Sequence, residues 1–289
     1  MRVLITGASG QFGRSLLKTT PSGPEVRALT RAELDITDAV TVYKLVKEFQ
    51  PHVIVNTAAY TAVDMAETES DRAFVVNADG PEHLAQAALQ NNARLIHIST
   101  DFVFDGLKSR PYQPDDAVNP LCVYGASKVE GEKRVRAVLG DAGVIVRSGW
   151  VYAAERHNFV NTILRLARAK DSLAVIADQV GTPTWGKSLA GLVWALVQRP
   201  DIRGIYHWSD AGVASWYDFA VAIQEEAMTL GLLKKSIPIR PITTEEYPLP
   251  ARRPAYSVLE KHTTVAVTGQ HPEHWRMNLR AMLMELVHA

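Results

Sequence analysis

The sequence predicts an α/β protein, a doubly wound parallel sheet that carries a smaller C-terminal lobe interleaved with it. Three observations predict this. A glycine-rich turn, Gly7-Ala8-Ser9-Gly10-Gln11-Phe12-Gly13, stands between an apolar strand and a helix. Strand-like apolar runs then alternate with helical patterns through the first 150 residues, which argues for parallel strands joined by right-handed crossovers. Beyond residue 150 the chain becomes richer in Pro and Trp, but no Gly/Ser linker sets that part off, so it belongs to an interleaved lobe rather than a detachable domain. The division expected is 1–150 for dinucleotide binding and 151–289 mainly for substrate.

Composition narrows the class. At 289 residues and 47% hydrophobic the chain can bury one large core or two modest ones. Lys+Arg and Asp+Glu are both 31, so no overall field recruits nucleic acid or an anionic membrane. The single Cys122 excludes an internal disulfide framework and suits a reducing compartment. Val3-Leu4-Ile5 is too short an apolar run for a signal peptide, and no stretch approaches the roughly 18 apolar residues of a membrane span. A soluble, cytoplasmic protein is expected.

In chain order, Arg2 to Thr6 reads as the first strand and leads through the glycines into a helix ending near Lys18. Glycines at this spacing allow a tight turn, close approach of N–H groups to a diphosphate, and phosphate at a helix N-terminus, the Rossmann-type signature. Glu25 to Leu29 is the second strand, ending at Thr30-Arg31. An arginine there accommodates the 2′-phosphate of NADP, so Arg31 favours NADPH, with NADH left open. Asp35-Ile36 is placed to reach the adenine, although Asp35 suits turn chemistry equally. Val42, Leu45, Val46 and Phe49 form a helical core stripe stopped by Pro51. His52 to Asn56 is the third strand, and the small residues after it, with Ala58, Ala59 and Tyr60, leave room for a flat cofactor. Asp64 and Glu67 read as first-turn acids of a helix. Asn77 lies in a helical stretch, and Pro81 to Gln90 is the helix before the fourth strand.

That fourth strand, Arg94 through Ile98, delivers Ser99-Thr100-Asp101 at its C-terminal end, where open α/β sheets place ligand crevices. Downstream, Tyr124 and Lys128 stand one helical turn apart on one face. A lysine ammonium beside a phenol favours the phenolate, and the spacing therefore predicts a tyrosine with a lowered pKa, poised to protonate a carbonyl oxygen. Tyr43 and Lys47 share the spacing but not the context, and read as a surface pair. The helix runs to about Leu139, Gly143 to Ser148 is another strand, and Trp150 stands at its end. Phe159 to Ala169 is a helix, Leu173 to Ile176 a strand, Thr182 to Trp185 a turn, and Lys187 to Gln198 a helix. Arg252-Arg253-Pro254 is the doubled arginine of a Pro-rich loop. A planar guanidinium suits phosphate oxygens, which makes Arg253 a candidate clamp for a diphosphate. His271 and His274 show no further ligands at metal spacing, and no metal site is expected from them. Cys122 reads as a small buried filler.

TGASGQFG, NTAAYTAVDMAE, HISTDFVFDG and YGASKVEGE, followed by RSGWVYA, DQVGTPTW, GIYHWSD and PARRPAYS, together resemble the extended short-chain dehydrogenase/reductase superfamily, and within it the dTDP-4-dehydrorhamnose reductase group. The resemblance covers nearly the whole chain. It implies NADPH-dependent reduction of the 4-keto group of dTDP-4-dehydro-6-deoxy-L-mannose to dTDP-L-rhamnose, the last step of dTDP-rhamnose synthesis, which supplies cell-wall polysaccharide. It implies Thr100 on the substrate carbonyl, Tyr124 as proton donor and Lys128 on the nicotinamide ribose. It also implies Asp101 and Trp150 against the sugar, and Gly7, Gly10, Gln11, Phe12, Gly13 and Ile98 along the cofactor. Some relatives are joined into dimers through Mg²⁺ on glutamates. This chain has Ser15 and Lys187 where those acids align, leaving Glu285, so Mg²⁺ and the choice between homodimer and monomer stay open. Two alternatives accompany this expectation: a reductase making another C4 epimer, and a non-catalytic NADP-binding subunit like that of methionine adenosyltransferase.

Overall fold

The computed structural model describes residues 1–287. Strand β1 (Arg2–Thr6) enters helix α1 (Gln11–Lys18), and β2 (Glu25–Leu29), α2 (Ala39–Phe49) and β3 (Val53–Asn56) follow. Short helices α3 (Val63–Ala66) and α4 (Ser70–Phe74) lead through a π turn, Val75–Asp79, into α5 (Gly80–Gln90) and β4 (Arg94–Thr100). Helix α6 (Val123–Leu139) and strand β5 (Val144–Ser148) complete the first half. The second half contains β6 (Val151–Tyr152), α7 (Phe159–Ala169), β7 (Leu173–Ile176), β8 (Val180–Gly181), β9 (Thr184–Trp185) and α8 (Gly186–Val197). After these come β10 (Gly204–His207), β11 (Ala214–Ser215), α9 (Trp216–Thr229), β12 (Ile239–Ile242), α10 (His262–Thr268) and α11 (Trp275–Val287). The turn expected at 182–185 is half strand, because β9 pairs with β6.

The main sheet has the order β10-β5-β4-β3-β1-β2, parallel throughout. Its central strands are apolar on both faces, as a sheet covered on both sides requires. Val3, Ile5, Val53, Val55, Ile96, Val144 and Val146 turn to one face and bury against Leu16 of α1 and the Leu189–Val197 stretch of α8. Leu4, Ile54 and Leu95 turn to the other, against Val42 and Val46 of α2, Leu84 and Ala88 of α5, and Val135 of α6. The chain runs outward from β1 to β2 and then crosses to β3 on the opposite side, so the switch of direction falls between β1 and β3. A crevice opens there at the C-terminal strand ends. Strand β10 and helix α8 come from the second half of the sequence yet complete the first layer system. The other half-chain elements, α7, α9, α11 and the β7–β12 pair, close around their own core of Phe219, Ile223, Leu164 and Leu279.

Candidate active site

At the β1–β3 switch, Gly7 adopts φ +70° and lies against the backbone of Ala58. A Cβ on Gly7 would stand 2.6 Å from the Ala58 nitrogen. Gly10 is the N-cap of α1 and contributes no side-chain cap, so the first N–H groups of the helix have no side-chain partner there, and an N-terminus in that state suits a phosphate. The crevice holds about 200 Å³ and is lined by Gly7, Ser9, Gly10, Arg31, Leu34, Asp35, Ile36, Thr57, Ala58, Ala59, Tyr60 and Val76. Eight residues expected on the cofactor are therefore brought together. Arg31 lies at the mouth, 3.3 Å from Asp35. Asp35 also accepts from the Thr37 N–H and hydroxyl, which hold its carboxyl below the usual range, so turn chemistry and crevice lining coincide in one residue. Ile36 sends its side chain into the core. Three expected residues sit differently. The Gln11 amide donates to the Val151 carbonyl at 2.7 Å and accepts from Asn158 at 3.0 Å, tying α1 to the second lobe. Phe12 packs on the sheet, and Gly13 abuts the Gly7 carbonyl.

The reactive group forms where α6 crosses the end of β4. Cys122 caps α6, its Sγ accepting from the Gly125 N–H at 3.5 Å, and its thiol is pushed up by burial. Thr100 is buried, accepts from the Phe102 N–H and donates to Asp101 at 3.1 Å. Tyr124 stands beside the Thr100 hydroxyl and edge-on to Phe102. Lys128 lies beneath, its Nζ donating to the Ile98 carbonyl at 2.7 Å and meeting His97 Nε2 at 3.3 Å. Here the expected electrostatics fail. Lys128 is turned to β4 and not to the phenol, so burial pushes Tyr124 up to about 12 despite the Thr100 hydroxyl pulling it down. Burial likewise lowers Lys128 to about 8, with Glu132 opposing.

Two long-range ties that the sequence did not announce hold this group in place. Glu132, one turn beyond Lys128, forms a buried bidentate pair with Arg147 of β5 at 2.7 and 2.9 Å and accepts from Ser99 at 2.5 Å. Removing one member of such a pair costs about 3–5 kcal/mol because it strands the other charge. Asn77, in the π turn, accepts from the Tyr60 N–H at 2.8 Å and donates to Ser127 at 3.0 Å, coupling the crevice wall to α6. Extra residues of this kind in a helix re-aim side chains. A polar residue in an otherwise helical run was the sequence signal available.

Beyond Thr100 lies a cavity of about 330 Å³ between the lobes, lined by Phe102, Trp150, Phe159, Ile163, Val175, Trp216, Arg253 and Ser257 among others. Trp150 has φ +51° and stacks face to face on Trp216, centroids 3.4 Å apart. A bulky residue in that backbone region is held there by its surroundings. Trp216 begins α9, which is fixed by a Ser215–Asp218 capping box. Asp101 is 2% exposed beneath Gly149, where a Cβ would fall 2.3 Å from the carboxyl carbon. Burial raises Asp101 to about 6 against hydrogen bonds from Ser257 and Thr100. Arg253 lines the cavity, but its fork is already taken by Asp64, at 2.8 and 3.0 Å. Asp64, expected only to complement a helix dipole, thus bridges the lobes at the cavity wall.

At the α1–α8 contact, Lys187 pairs with Glu285 at 2.6 Å beside Ser15. An ammonium therefore stands next to that carboxylate, and among the described residues no group of three or more His, Cys, Asp or Glu is arranged to hold a metal. No described helix is long and apolar enough to cross a membrane.

Comparison with known proteins bears on the whole assembly. Residues 1–288 match the family model described as RmlD substrate binding domain. A dTDP-4-dehydrorhamnose reductase of Aggregatibacter actinomycetemcomitans is 43% identical, covering 96% of this chain and 97% of its own. A dTDP-4-keto-6-deoxy-D-glucose reductase of Streptomyces niveus is 38% identical over 95% of this chain and 93% of its own. The crystal structure of the Bacillus anthracis dTDP-4-dehydrorhamnose reductase in complex with NADP superposes with a TM-score of 0.92 at 35% identity, covering 98% of this chain and 99% of that one. Matched by the family model over residues 1–288 and by these relatives along nearly its full length, the chain belongs to the dTDP-4-dehydrorhamnose reductase family.

Proposed function

We propose that this chain reduces the 4-keto group of dTDP-4-dehydro-6-deoxy-L-mannose to dTDP-L-rhamnose with NADPH. The observation that carries it is the convergence of Thr100, Tyr124 and Lys128 at the end of β4, between the phosphate-ready crevice and the apolar cavity. Gly7, Gly10, Ala58, Ala59 and Tyr60 would hold the dinucleotide, Arg31 its 2′-phosphate, and Ile98 and Lys128 its nicotinamide end. The bound cofactor supplies the hydride.

The chain's own residues do the rest. Thr100 and Tyr124 hold the ketone oxygen, and Tyr124 protonates it as negative charge develops. A phenol at about 12 keeps its proton until an alkoxide forms. It then gives it up downhill, since a hydroxyl without such stabilisation is a far weaker acid than a phenol. Trp150 and Trp216 offer an apolar face to sugar or base. Arg253 is the candidate for the diphosphate, which would compete with Asp64 for its fork. Asp101 is the candidate sugar contact nearest Thr100. We place the reaction in the cytoplasm. Every residue named comes from one chain, so monomer and homodimer both accommodate it, and no step calls on Mg²⁺.

The test is NADPH oxidation, with NADH in parallel, on the 4-ketosugar nucleotide, with the product identified by NMR. Tyr124→Phe is expected to lower kcat by about 10²–10⁴-fold while NADPH still binds. A second reading, reduction to a different C4 epimer, is favoured by the likeness to the Streptomyces niveus reductase, and the product's NMR spectrum decides between them. Tight NADPH binding with no turnover of any such ketosugar would overturn both.

A further inference from the structure

The polar chain under the reactive group has a direction that can be read from one backbone donor. The Asn56 Oδ1 accepts from the Ala58 N–H at 3.1 Å, and from the Thr6 hydroxyl at 2.7 Å. A backbone nitrogen can only donate, so that end of the Asn56 amide is the oxygen and the other is the NH₂. The NH₂ faces His97 Nδ1 at 3.0 Å, which must therefore accept. His97 is fully buried, and burial, with Lys128 beside it, holds its pKa well below the usual value, so the ring is neutral. A neutral imidazole that accepts at Nδ1 carries its proton on Nε2. Nε2 points at Lys128 Nζ, 3.3 Å away. Two donors cannot share that contact.

We propose, building on the proton-donor role given to Tyr124, that His97 is a positioning residue that presents Nε2–H to Lys128 Nζ and so disfavours the ammonium form in the free protein. The remaining geometry agrees. Lys128 still donates one N–H to the Ile98 carbonyl at 2.7 Å, leaving its lone pair for His97. The titratable and charged groups set against it are His97 from β4 and Glu132 from its own helix α6, with Arg147 of β5 reaching it only through Glu132. Of these, Glu132 favours the ammonium, and Arg147 neutralises Glu132 through its bidentate grip. Burial brings the amine to about 8, so it changes charge close to neutral pH. The field on the phenol then depends on pH. Below the Lys128 midpoint an ammonium draws the phenol's pKa down and makes it a stronger acid, and above it Tyr124 works alone.

The experiment reads His97 and Lys128 in the wild-type protein by NMR, which requires no turnover and so separates this proposal from the assigned reaction. Long-range ¹H–¹⁵N correlation is expected to show His97 protonated on Nε2 only and not titrating between pH 5 and 8. The Lys128 side chain is expected to titrate well below free lysine. His97→Leu removes the donor to the neutral amine and is expected to raise the Lys128 midpoint by about one unit, a tenfold change in proton affinity of the size one hydrogen bond supplies. The alkaline limb of kcat should move up with it. His97→Gln can accept from Asn56 with one atom and donate to Lys128 with the other, and is expected to restore both values. A proton on Nδ1 in the wild type, or a Lys128 midpoint unmoved by His97→Leu, would overturn the proposal, whatever the variants do to stability.

Discussion

The crevice at the β1–β3 switch is made of backbone, whereas the cavity between the lobes is made of side chains. Gly7, Gly10 and the 57–60 turn shape the first by leaving atoms out. Trp150, Trp216, Phe159 and Arg253 shape the second by putting atoms in, from segments up to about a hundred residues apart in the chain. At Gly7 such a hollow has almost no tolerance, because a Cβ there falls on peptide atoms that cannot rotate away. One made by side chains changes by degrees, since rotamers and neighbours adjust.

The largest effect should therefore come from the smallest substitution. Gly7→Ala places a Cβ 2.6 Å from the Ala58 nitrogen at a φ of +70°. Strain of about 1–3 kcal/mol is expected, seen as a lower urea midpoint, together with at least a tenfold loss of NADPH affinity by fluorescence titration. The KM for the nucleotide sugar should move far less. Unchanged cofactor binding would show that the crevice yields like the cavity does.

Trp216→Leu should give the reverse pattern with a smaller size. It removes the partner of Trp150 while keeping an apolar wall. Aromatic stacking contributes about 0.5–1.5 kcal/mol beyond buried area, so a roughly three- to tenfold rise in nucleotide-sugar KM is expected. NADPH affinity should be unaltered. Equal losses on both ligands would mean that the two hollows are coupled through the lobes rather than built separately.

The same contrast decides what was legible in the sequence. The crevice was, because its parts are local: a glycine turn after one strand, small residues after another, and a predictable crossover between them. So was the placing of Thr100, Tyr124 and Lys128, which needs only a strand end and a helix face. What escaped were partnerships set by the fold. Asp64 looked like a dipole residue until Arg253, 189 positions away, closed on it. Glu132 was one more charge on a helix until Arg147 met it in the core. Trp216 had no local pattern to mark it. Even the spacing of Tyr124 and Lys128 misled about their electrostatics, because His97 on the neighbouring strand claims the lysine. Its position in a doubly buried apolar strand was the available clue.

A pH dependence is expected at Asp101, which sits where the β4 end meets the cavity. Its folded pKa is about 6, raised by burial from an ordinary 3.8, so between those values the folded protein binds a proton that the unfolded chain lacks. Stability contributed by this group therefore rises as pH falls through about 6, and the contribution is complete below 3.8. Asp210 is raised in the same way, while buried His97 and His207 act oppositely, since the unfolded chain protonates them near 6.5 and the folded one does not. The wild-type curve alone is thus a mixture, and the informative quantity is its difference from Asp101→Asn. Going from pH 7.5 to 4.5, wild type should gain on the variant by roughly 2 kcal/mol, at about 1.4 kcal/mol per pKa unit, in urea titrations at each pH. A constant difference would mean that Asp101 ionises as a solvated carboxylate, which requires water to reach beneath Gly149 and joins the β4 end to the open cavity.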